Sequence, residues 1–268
     1  MGKSLSDNMA TAKAPTIQFM SDLHLEAGRR YLTFDFPATA PYLLVAGDVG
    51  SLADYDKYLA FIKQQTDSFD RVLLVLGNHE FHGLSYNDTL ARARQLEGEA
   101  CLGGRLHILH RRRFDLPGSD ISVLGCTLWS AVPDDARAAV EARVKDFQHI
   151  AGWSVDQHNQ AHEEDVKWLE EEVRKAAAEG KEVIVATHHA PCLEGTSEPR
   201  YAGSPWGSAF ATDLLQREAE LWQGRVGVWV FGHTHFSTEV VVGGVRVLSN
   251  QRGSGRDAKD GFDPGRVI

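Results

Sequence analysis

The segment YLLVAGD, from Tyr42 to Asp48, is a continuous apolar run that ends in a glycine and a carboxylate. Two runs of the same kind occupy residues 16–20 and 72–76, and polar residues follow each of them closely. Near-continuous apolar runs rich in Leu and Val are typical of strands buried on both faces, as in a parallel sheet. We therefore predict strands at 16–20, 42–46 and 72–76, with polar side chains at their carboxyl ends.

The second half of the chain contains further strand patterns. The predicted strands lie at 121–124, 183–186, 226–231, 238–242 and 245–248, of which the first and fourth have the weaker patterns. The pair Gly243-Gly244 separates the last two strands. A Gly-Gly pair between two apolar runs is typical of a tight hairpin, so we expect these two strands to be antiparallel.

Helical patterns separate many of these strands. Apolar residues at helical spacing predict helices over 54–66 and 163–178, and a shorter one over 213–222. This alternation, closed by a hairpin, predicts an α/β protein with either one mixed sheet or two packed sheets and helices outside. No long linker divides the chain, so we expect residues 15–268 to form one domain after a polar, disordered tail over residues 1–14.

The residues that follow the predicted strands are of types that bind metal ions. Ligands in open α/β sheets collect at the carboxyl ends of the strands, so side chains from several strand ends should meet in one crevice. Asp-x-His and His-x-His pairs strengthen this prediction, because alternate residues of an extended segment point to the same side. The candidate metal ligands are Asp22, His24, Asp48, Asn78, His188, His233 and His235.

The chemistry of this ligand set indicates catalysis rather than a structural metal site. It combines imidazole, carboxylate and an amide oxygen without thiolate, which suits Mn, Fe, Zn or Co. Seven ligands are too many for one ion that keeps a position open to water. We therefore predict two divalent or mixed-valence ions bridged by one carboxylate, since ions about 3.5–4 Å apart are a recurring device for displacement at phosphorus.

In their order along the chain, these motifs resemble those of the calcineurin-like metallophosphoesterases. The matching motifs are Asp22-x-His24, Gly47-Asp48, Gly77-Asn78-His79-Glu80, His188 and Gly232-His233-x-His235. The resemblance implies a four-layer αββα sandwich of two packed mixed sheets flanked by helices. It also implies two ligand sets that share Asp48: Asp22, His24, Asp48 and His235 for one ion, and Asp48, Asn78, His188 and His233 for the other.

His79 matches the histidine of the family that faces the substrate instead of a metal ion. The resemblance implies hydrolysis of phosphomonoesters or phosphodiesters by a hydroxide held between the ions, with Asp48 as a catalytic ligand. Asn78 and His79 would contact the substrate, and His79 would protonate the leaving oxygen. Glu80 and Asp54 are both candidates for the carboxylate that keeps His79 protonated.

One difference from the family narrows the substrate class. In the Ser/Thr protein phosphatases the aspartate motif continues with an aspartate and a phosphate-binding arginine, whereas this chain continues Val49-Gly50-Ser51-Leu52. The pattern therefore favours small or nucleotide-like phosphoesters over phosphoproteins, although a protein phosphatase-like enzyme stays an alternative. A catalytically inactive binding module with the same fold, and a two-metal hydrolase of amides or lactones, are further alternatives.

Composition excludes several other classes. The 268 residues carry 28 Lys and Arg against 37 Asp and Glu, a net charge of −9, and 43% of them are hydrophobic. The apolar content excludes a mainly disordered chain, and the negative charge argues against strong nucleic-acid binding. Three widely spaced cysteines form no disulfide framework, and no apolar run resembles a membrane span or a secretion signal. We therefore expect a cytoplasmic enzyme that acts on a small phosphoester.

Several features lie outside this pattern. The polar, helix-prone residues 136–162 separate two of the motifs and are a candidate lid over the site. The basic run Arg111–Arg113 is interpreted as a solvated turn or a substrate-docking patch, and Arg252 as a residue that reaches a phosphate or a carboxylate. His82 is a candidate for a contact behind the ligands or for a surface position. His189 is a candidate for a structural contact or for a contact behind the ligands.

Overall fold

The computed structural model describes residues 16–268, and the first of its two sheets contains four parallel strands. These are β1 (Ile17–Met20), β2 (Tyr42–Ala46), β3 (Arg71–Val75) and β4 (Leu106–Ile108), in that order across the sheet. The end of the chain pairs with β1 in the opposite direction, between Gln18 and Val267. The three strands predicted in this part of the chain are confirmed, and β4 is additional.

The second sheet contains six strands and is mixed. They are β5 (Arg112–Asp115), β6 (Ile121–Cys126), β7 (Glu182–Thr187), β8 (Val226–Phe231), β9 (Glu239–Val242) and β10 (Val245–Ser249). Their order is β5-β6-β7-β8-β10-β9, in which the four central strands are parallel and the two edge strands are antiparallel to their neighbours. The predicted hairpin at Gly243-Gly244 is confirmed as the β9–β10 connection.

Helices cover the outer faces of both sheets. They are α1 (Tyr55–Ser68), α2 (Tyr86–Glu97), α3 (Arg137–Arg143), α4 (Asp146–His149), α5 (Val155–Ala178), α6 (Leu214–Arg217) and α7 (Ala219–Trp222). Helix α5 begins at Val155 instead of residue 163, because Ser154 and Gln157 form a capping box there. The helix predicted over 213–222 is interrupted at Glu218, and it therefore forms the two short helices α6 and α7.

Three apolar clusters stack these elements in four layers. The middle cluster joins the facing sides of the two sheets, and one further cluster lies on the outer side of each sheet. Representative residues of the middle cluster are Phe19, Leu44 and Leu73 from the first sheet, with Val123, Ile184 and Val230 from the second. Helices α1 and α2 cover the first sheet and α5 covers the second, so the predicted αββα sandwich is confirmed.

The basic run Arg111–Arg113 leads into the edge strand β5, so it is not the solvated turn that we expected. Nη1 of Arg111 lies 2.7 Å from Glu164. Arg112 pairs with Glu97 at 2.5 Å, and Arg113 pairs with Glu179 and with Asp115. Since all three guanidinium groups face carboxylates of the same chain, these contacts do not favour a substrate-docking patch.

The tail predicted over residues 1–14 lies outside the described residues. Residues 136–162, the candidate lid, contain α3, α4 and the first turns of α5. No helix between residues 16 and 268 combines the length and the apolar character that crossing a membrane requires.

Candidate metal centre

Five of the candidate ligands have a left-handed backbone conformation in the turns that follow the strands. The φ angle is +55° at Asp22, +46° at His24, +56° at Asp48, +70° at His233 and +51° at His235. Such a conformation costs a residue other than glycine roughly 1–3 kcal/mol and tends to occur at functional sites. The concentration of strain at the carboxyl ends of three strands therefore marks this edge of the sheets.

Asp22, His24 and His235 form a first group of donor atoms. Nε2 of His24 lies 2.8 Å from Nε2 of His235 and 3.9 Å from Oδ1 of Asp22. Nε2 of His235 lies 3.4 Å from the same carboxylate oxygen. Asp22 and His24 are buried, while His235 is partly exposed. These three side chains could hold a metal ion, and the ion would be open to solvent on the side of His235.

A second group consists of Asp48, His188 and His233, with Asn78 beside it. Nε2 of His188 lies 3.3 Å from Oδ1 of Asp48 and 2.9 Å from Oδ1 of Asn78. All four side chains are buried. Nε2 of His233 has no hydrogen-bond partner in the described part of the chain. An orphaned ring nitrogen is costly inside a protein, so it fits a position that a metal ion would satisfy.

Asp48 lies between the two groups and presents a different oxygen to each. Oδ2 faces Nε2 of His24 at 3.6 Å, and Oδ1 faces Nε2 of His188 at 3.3 Å. Burial favours the neutral carboxyl, but the imidazoles of His188, His79 and His24 outweigh burial and hold the pKa of Asp48 well below its usual range. An ionised carboxylate placed in this way has the geometry of a bridge between two cations.

Two glycines allow the ligands to approach one another this closely. A Cβ atom on Gly47 would collide with the ring of His188, and the φ angle of Gly47 is +89°. A Cβ atom on Gly77 would collide with Oδ1 of Asp48. The glycines before Asp48 and Asn78 therefore leave room for the neighbouring ligand, and Gly47 also supplies the turn.

Hydrogen bonds behind the ligands fix which ring nitrogen faces the centre. Nδ1 of His188 lies 2.9 Å from the carbonyl oxygen of Ala46. A carbonyl only accepts, so Nδ1 carries a proton and Nε2 is the ring nitrogen left to face the centre. Nδ1 of His24 lies 3.4 Å from Oε1 of Glu26, which favours the same tautomer there. Both imidazoles are thus oriented as metal-binding histidines usually are.

His79 pairs with Glu26, and this corrects the expectation that Glu80 or Asp54 is its partner. Nδ1 of His79 lies 2.8 Å from Oε1 of Glu26, and the backbone N–H of His79 donates to Oδ1 of Asp48 at 2.9 Å. Burial lowers the pKa of His79, but Asp48 and Glu26 outweigh burial and raise it to about 9. His24, Asp48 and His79 also lie close enough to form a third group that could hold a metal ion.

Glu80 does not pair with His79; its carboxylate connects the turns that follow β2 and β3. Its carboxylate accepts the backbone N–H groups of residues 48, 49, 50 and 77 at 2.7–3.3 Å. It also accepts the hydroxyl of Tyr58 at 3.0 Å. Asp54, the other expected partner of His79, is exposed and pairs with Lys57 at 3.0 Å.

We predict that Glu80→Ala lowers the free energy of unfolding by about 3 kcal/mol or more, because each buried donor left without an acceptor costs about 1–3 kcal/mol. Urea unfolding followed by circular dichroism measures this change. Glu171→Ala, at an exposed position of α5, is the matched control and should change stability little. A loss below about 1 kcal/mol in Glu80→Ala would contradict the assigned role.

Two residues that contact the site were not identified from the sequence. Glu26 contacts His79, and it follows His24 at the same spacing at which His24 follows Asp22. Extending the alternation by one step would therefore have identified it. Asp146 is far away in the sequence and carries no local signal, yet its carboxylate accepts a hydrogen bond from Nδ2 of Asn78 at 2.7 Å.

The remaining candidates lie around the centre. His82 is mostly buried, and its Nε2 lies 2.8 Å from Oδ1 of Asp146, so it contacts a residue behind a ligand. His189 is buried with its ring centroid 4.1 Å from that of His233. The guanidinium of Arg252 donates to the backbone carbonyls of residues 253, 255 and 256, and it pairs with no carboxylate of the described residues.

A cavity of about 1020 Å³ opens from this centre. The candidate ligands Asp48, Asn78, His233 and His235 lie in its wall together with His79. Apolar side chains and charged side chains of both signs line the rest of the cavity, and they include Val132, Trp206, Phe210, Arg143, Lys145, Lys259, Glu194, Glu198 and Asp213. A ligand of moderate size with an anionic group could therefore occupy the cavity with that group at the centre.

Comparisons with known proteins place this arrangement in a family. Residues 15–237 match the family model described as calcineurin-like phosphoesterase. Uncharacterized protein L509 of Acanthamoeba polyphaga mimivirus is 25% identical over an alignment of 275 positions, and the match covers 92% of this chain and 94% of that protein.

Two solved structures have a similar fold. The phosphopantetheinyl hydrolase from Mycobacterium tuberculosis has a TM-score of 0.64 at 16% identity, and the match covers 89% of each chain. A dimetal phosphatase from Danio rerio has a TM-score of 0.54 at 14% identity, with 90% of this chain and 88% of that chain covered. Since the family model also spans most of the sequence, this chain belongs to the calcineurin-like phosphoesterase family.

Proposed function

We propose that the protein is a phosphoesterase that uses two metal ions to hydrolyse phosphomonoesters or phosphodiesters of small or nucleotide-like molecules. The observation that carries this proposal is the position of Asp48, which presents one carboxylate oxygen to each of two donor groups. When bound, two divalent ions activate water and neutralise charge on the phosphoryl oxygens.

The distances support the proposed ligand sets. One ion would be held by Asp22, His24, Asp48 and His235, and the other by Asp48, Asn78, His188 and His233. The imidazole, carboxylate and amide donors suit Mn, Fe, Zn or Co. His79 is assigned to the substrate and not to a third ion, because each proposed ion already has four ligands and because the ring of His79 is partly exposed in the wall of the cavity.

His79 is the proposed general acid. It is partly exposed and lies in the wall of the cavity, so its ring can reach the leaving oxygen of a bound ester. Glu26 faces Nδ1 and favours the protonated ring. Bound cations would lower the pKa of His79, and the carboxylate of Glu26 opposes this effect. A proton held near neutral pH is what departure of an alkoxide requires.

The cavity lining supports a small substrate. Arg143 and Lys145 offer charge to a phosphate, while Trp206 and Phe210 offer apolar surface to an organic group. Lys259 also lines the cavity, but it pairs with Glu198 at 2.9 Å. The Mycobacterium tuberculosis protein of similar fold is described as a phosphopantetheinyl hydrolase. We further propose that residues 136–162, which contribute Arg143 and Lys145 to the cavity wall, cover the site and that the enzyme is cytoplasmic.

Hydrolysis of aryl phosphate monoesters and diesters tests the proposed function. The protein is assayed with added Mn²⁺, after removal of metal by a chelator, and after Mn²⁺ is restored. We expect turnover that disappears with the metal and returns with it. Turnover that survives complete metal removal would contradict the proposal, and metal-loaded protein that is inert towards a broad substrate panel would favour a binding module.

His24→Ala and His188→Ala are predicted to deplete different ions. Each histidine belongs to only one of the two proposed ligand sets, and Nε2 of each faces a different oxygen of Asp48. Anomalous diffraction from crystals of the Mn²⁺-loaded variants identifies the missing ion. The wild-type crystal is the control with two peaks, and loss of the same peak in both variants would overturn the division of the ligands.

A further inference from the structure

Asp146 is a buried carboxylate at the start of α4, and only 2% of its surface is exposed. Its Oδ1 accepts two hydrogen bonds, one from Nδ2 of Asn78 at 2.7 Å and one from Nε2 of His82 at 2.8 Å. A carboxylate is costly to bury unless hydrogen-bond donors satisfy it. A buried carboxylate at this position therefore indicates that a neighbouring donor requires an acceptor.

The neighbouring donor that bears on the metal centre is the side-chain amide of Asn78, whose orientation depends on Asp146. A side-chain amide has a nearly symmetric shape, and it can present either its oxygen or its NH₂ group to the centre. The carboxylate of Asp146 only accepts hydrogen bonds, so it selects the orientation in which NH₂ faces Asp146. The oxygen of Asn78 then faces the centre, where it lies 2.9 Å from Nε2 of His188.

The segment that carries Asp146 also forms part of the cavity wall. Arg143, Val144 and Lys145, directly before Asp146, line the cavity. A small apolar cluster anchors this segment, and it consists of Val132, Val140, Val144, Val155 and Ala209. The carboxylate is therefore held in place by packing of its own segment, independently of the turn that carries Asn78.

We propose that Asp146 is a positioning residue for the metal centre: by fixing the amide orientation of Asn78, it raises the affinity for the ion at Asn78, His188 and His233. This inference rests on the proposed function, because it needs an ion at that position. It assigns no contact between Asp146 and the metal or the substrate.

Metal titration without substrate tests this inference. Chelator-treated wild-type, Asp146→Ala and Asp146→Asn proteins are titrated with Mn²⁺ in a calorimeter, and thermal unfolding is recorded for each. We expect Asp146→Ala to bind one ion about 10–100-fold more weakly, as is typical when the partner of a ligand is removed. The other ion should keep its affinity, which a general loss of structure would not allow.

Asp146→Asn keeps the shape but can present either an acceptor or a donor to Asn78, so we expect a smaller loss for the same ion. This variant decides the question if Asp146→Ala does not fold. Asp134→Ala is the matched control, because Asp134 is a 97% exposed carboxylate shortly before α3.

Wild-type affinity for both ions in a folded Asp146→Ala protein, or in Asp146→Asn if the former does not fold, would overturn this inference alone. Equal weakening of both ions in the variants would also overturn it. If the wild-type protein itself binds fewer than two ions, the proposed function fails together with the inference. The two failures are therefore distinguishable in one experiment.

Discussion

Asp48→Asn is expected to remove both metal ions from the centre and to lower kcat/KM by more than about 100-fold. Removal of a residue that only hydrogen-bonds to a metal ligand typically costs up to about 100-fold, and removal of a ligand shared by both ions should cost more. The amide keeps the shape but removes the negative charge that offsets repulsion between two close cations. Asp48 faces both donor groups, so the loss should not be confined to one ion. Elemental analysis of the purified variant, together with its turnover rate, measures both effects.

A matched control for this variant is Asp54→Asn. Asp54 is an exposed carboxylate near Asp48 in the sequence, and it pairs only with Lys57 among the described residues. It should keep two ions per chain and the wild-type rate. Two retained ions and a near wild-type rate in Asp48→Asn would show that Asp48 does not bridge the ions.

His79→Ala is expected to slow hydrolysis of an alkyl phosphoester by about 10²–10⁴-fold, the usual contribution of general acid catalysis. A nitrophenyl phosphoester should lose little, because its leaving group needs no proton. The metal content should stay unchanged, since His79 is assigned to the leaving group. Steady-state rates on both substrates, with elemental analysis of the same sample, provide the measurement.

The partner of His79 gives a second variant for the same test. Glu26→Gln removes the charge that faces Nδ1 of His79 at 2.8 Å, so we expect a smaller loss that is again confined to the alkyl ester. Equal losses on both esters in His79→Ala would mean that His79 binds the phosphate instead of protonating the leaving oxygen. Loss of metal from that variant would make His79 a ligand.

The sequence predicted the central part of the fold because its strands have an unmistakable local signal. The runs at 42–46 and 226–231 are buried along most of their length, so almost no polar residue interrupts them. The ligands were predicted for a related reason. Asp48 and His233 directly follow a strand end and a glycine, and parallel strands bring their carboxyl ends to a common edge.

Elements stabilised by distant contacts could not be predicted in this way. Strand β4 has three residues and is specified by its pairing with β3, and β5 is an edge strand rich in arginine. Its arginines predict a turn, but in the fold they pair with Glu97 of α2, with Glu179 directly after α5 and with Asp115 of the same strand. Asp146 likewise meets Asn78 across 68 positions of sequence, so only the folded structure brings them together.

Activity measured as a function of bound metal tests the two-ion account most directly. Chelator-treated protein receives increasing equivalents of Mn²⁺, and the rate of nitrophenyl phosphate hydrolysis is recorded with the number of ions bound per chain. The account predicts a metal-free protein without activity and a rate that reaches its plateau at two bound ions per chain. Full activity without metal, or a plateau reached with a single bound ion, would contradict it.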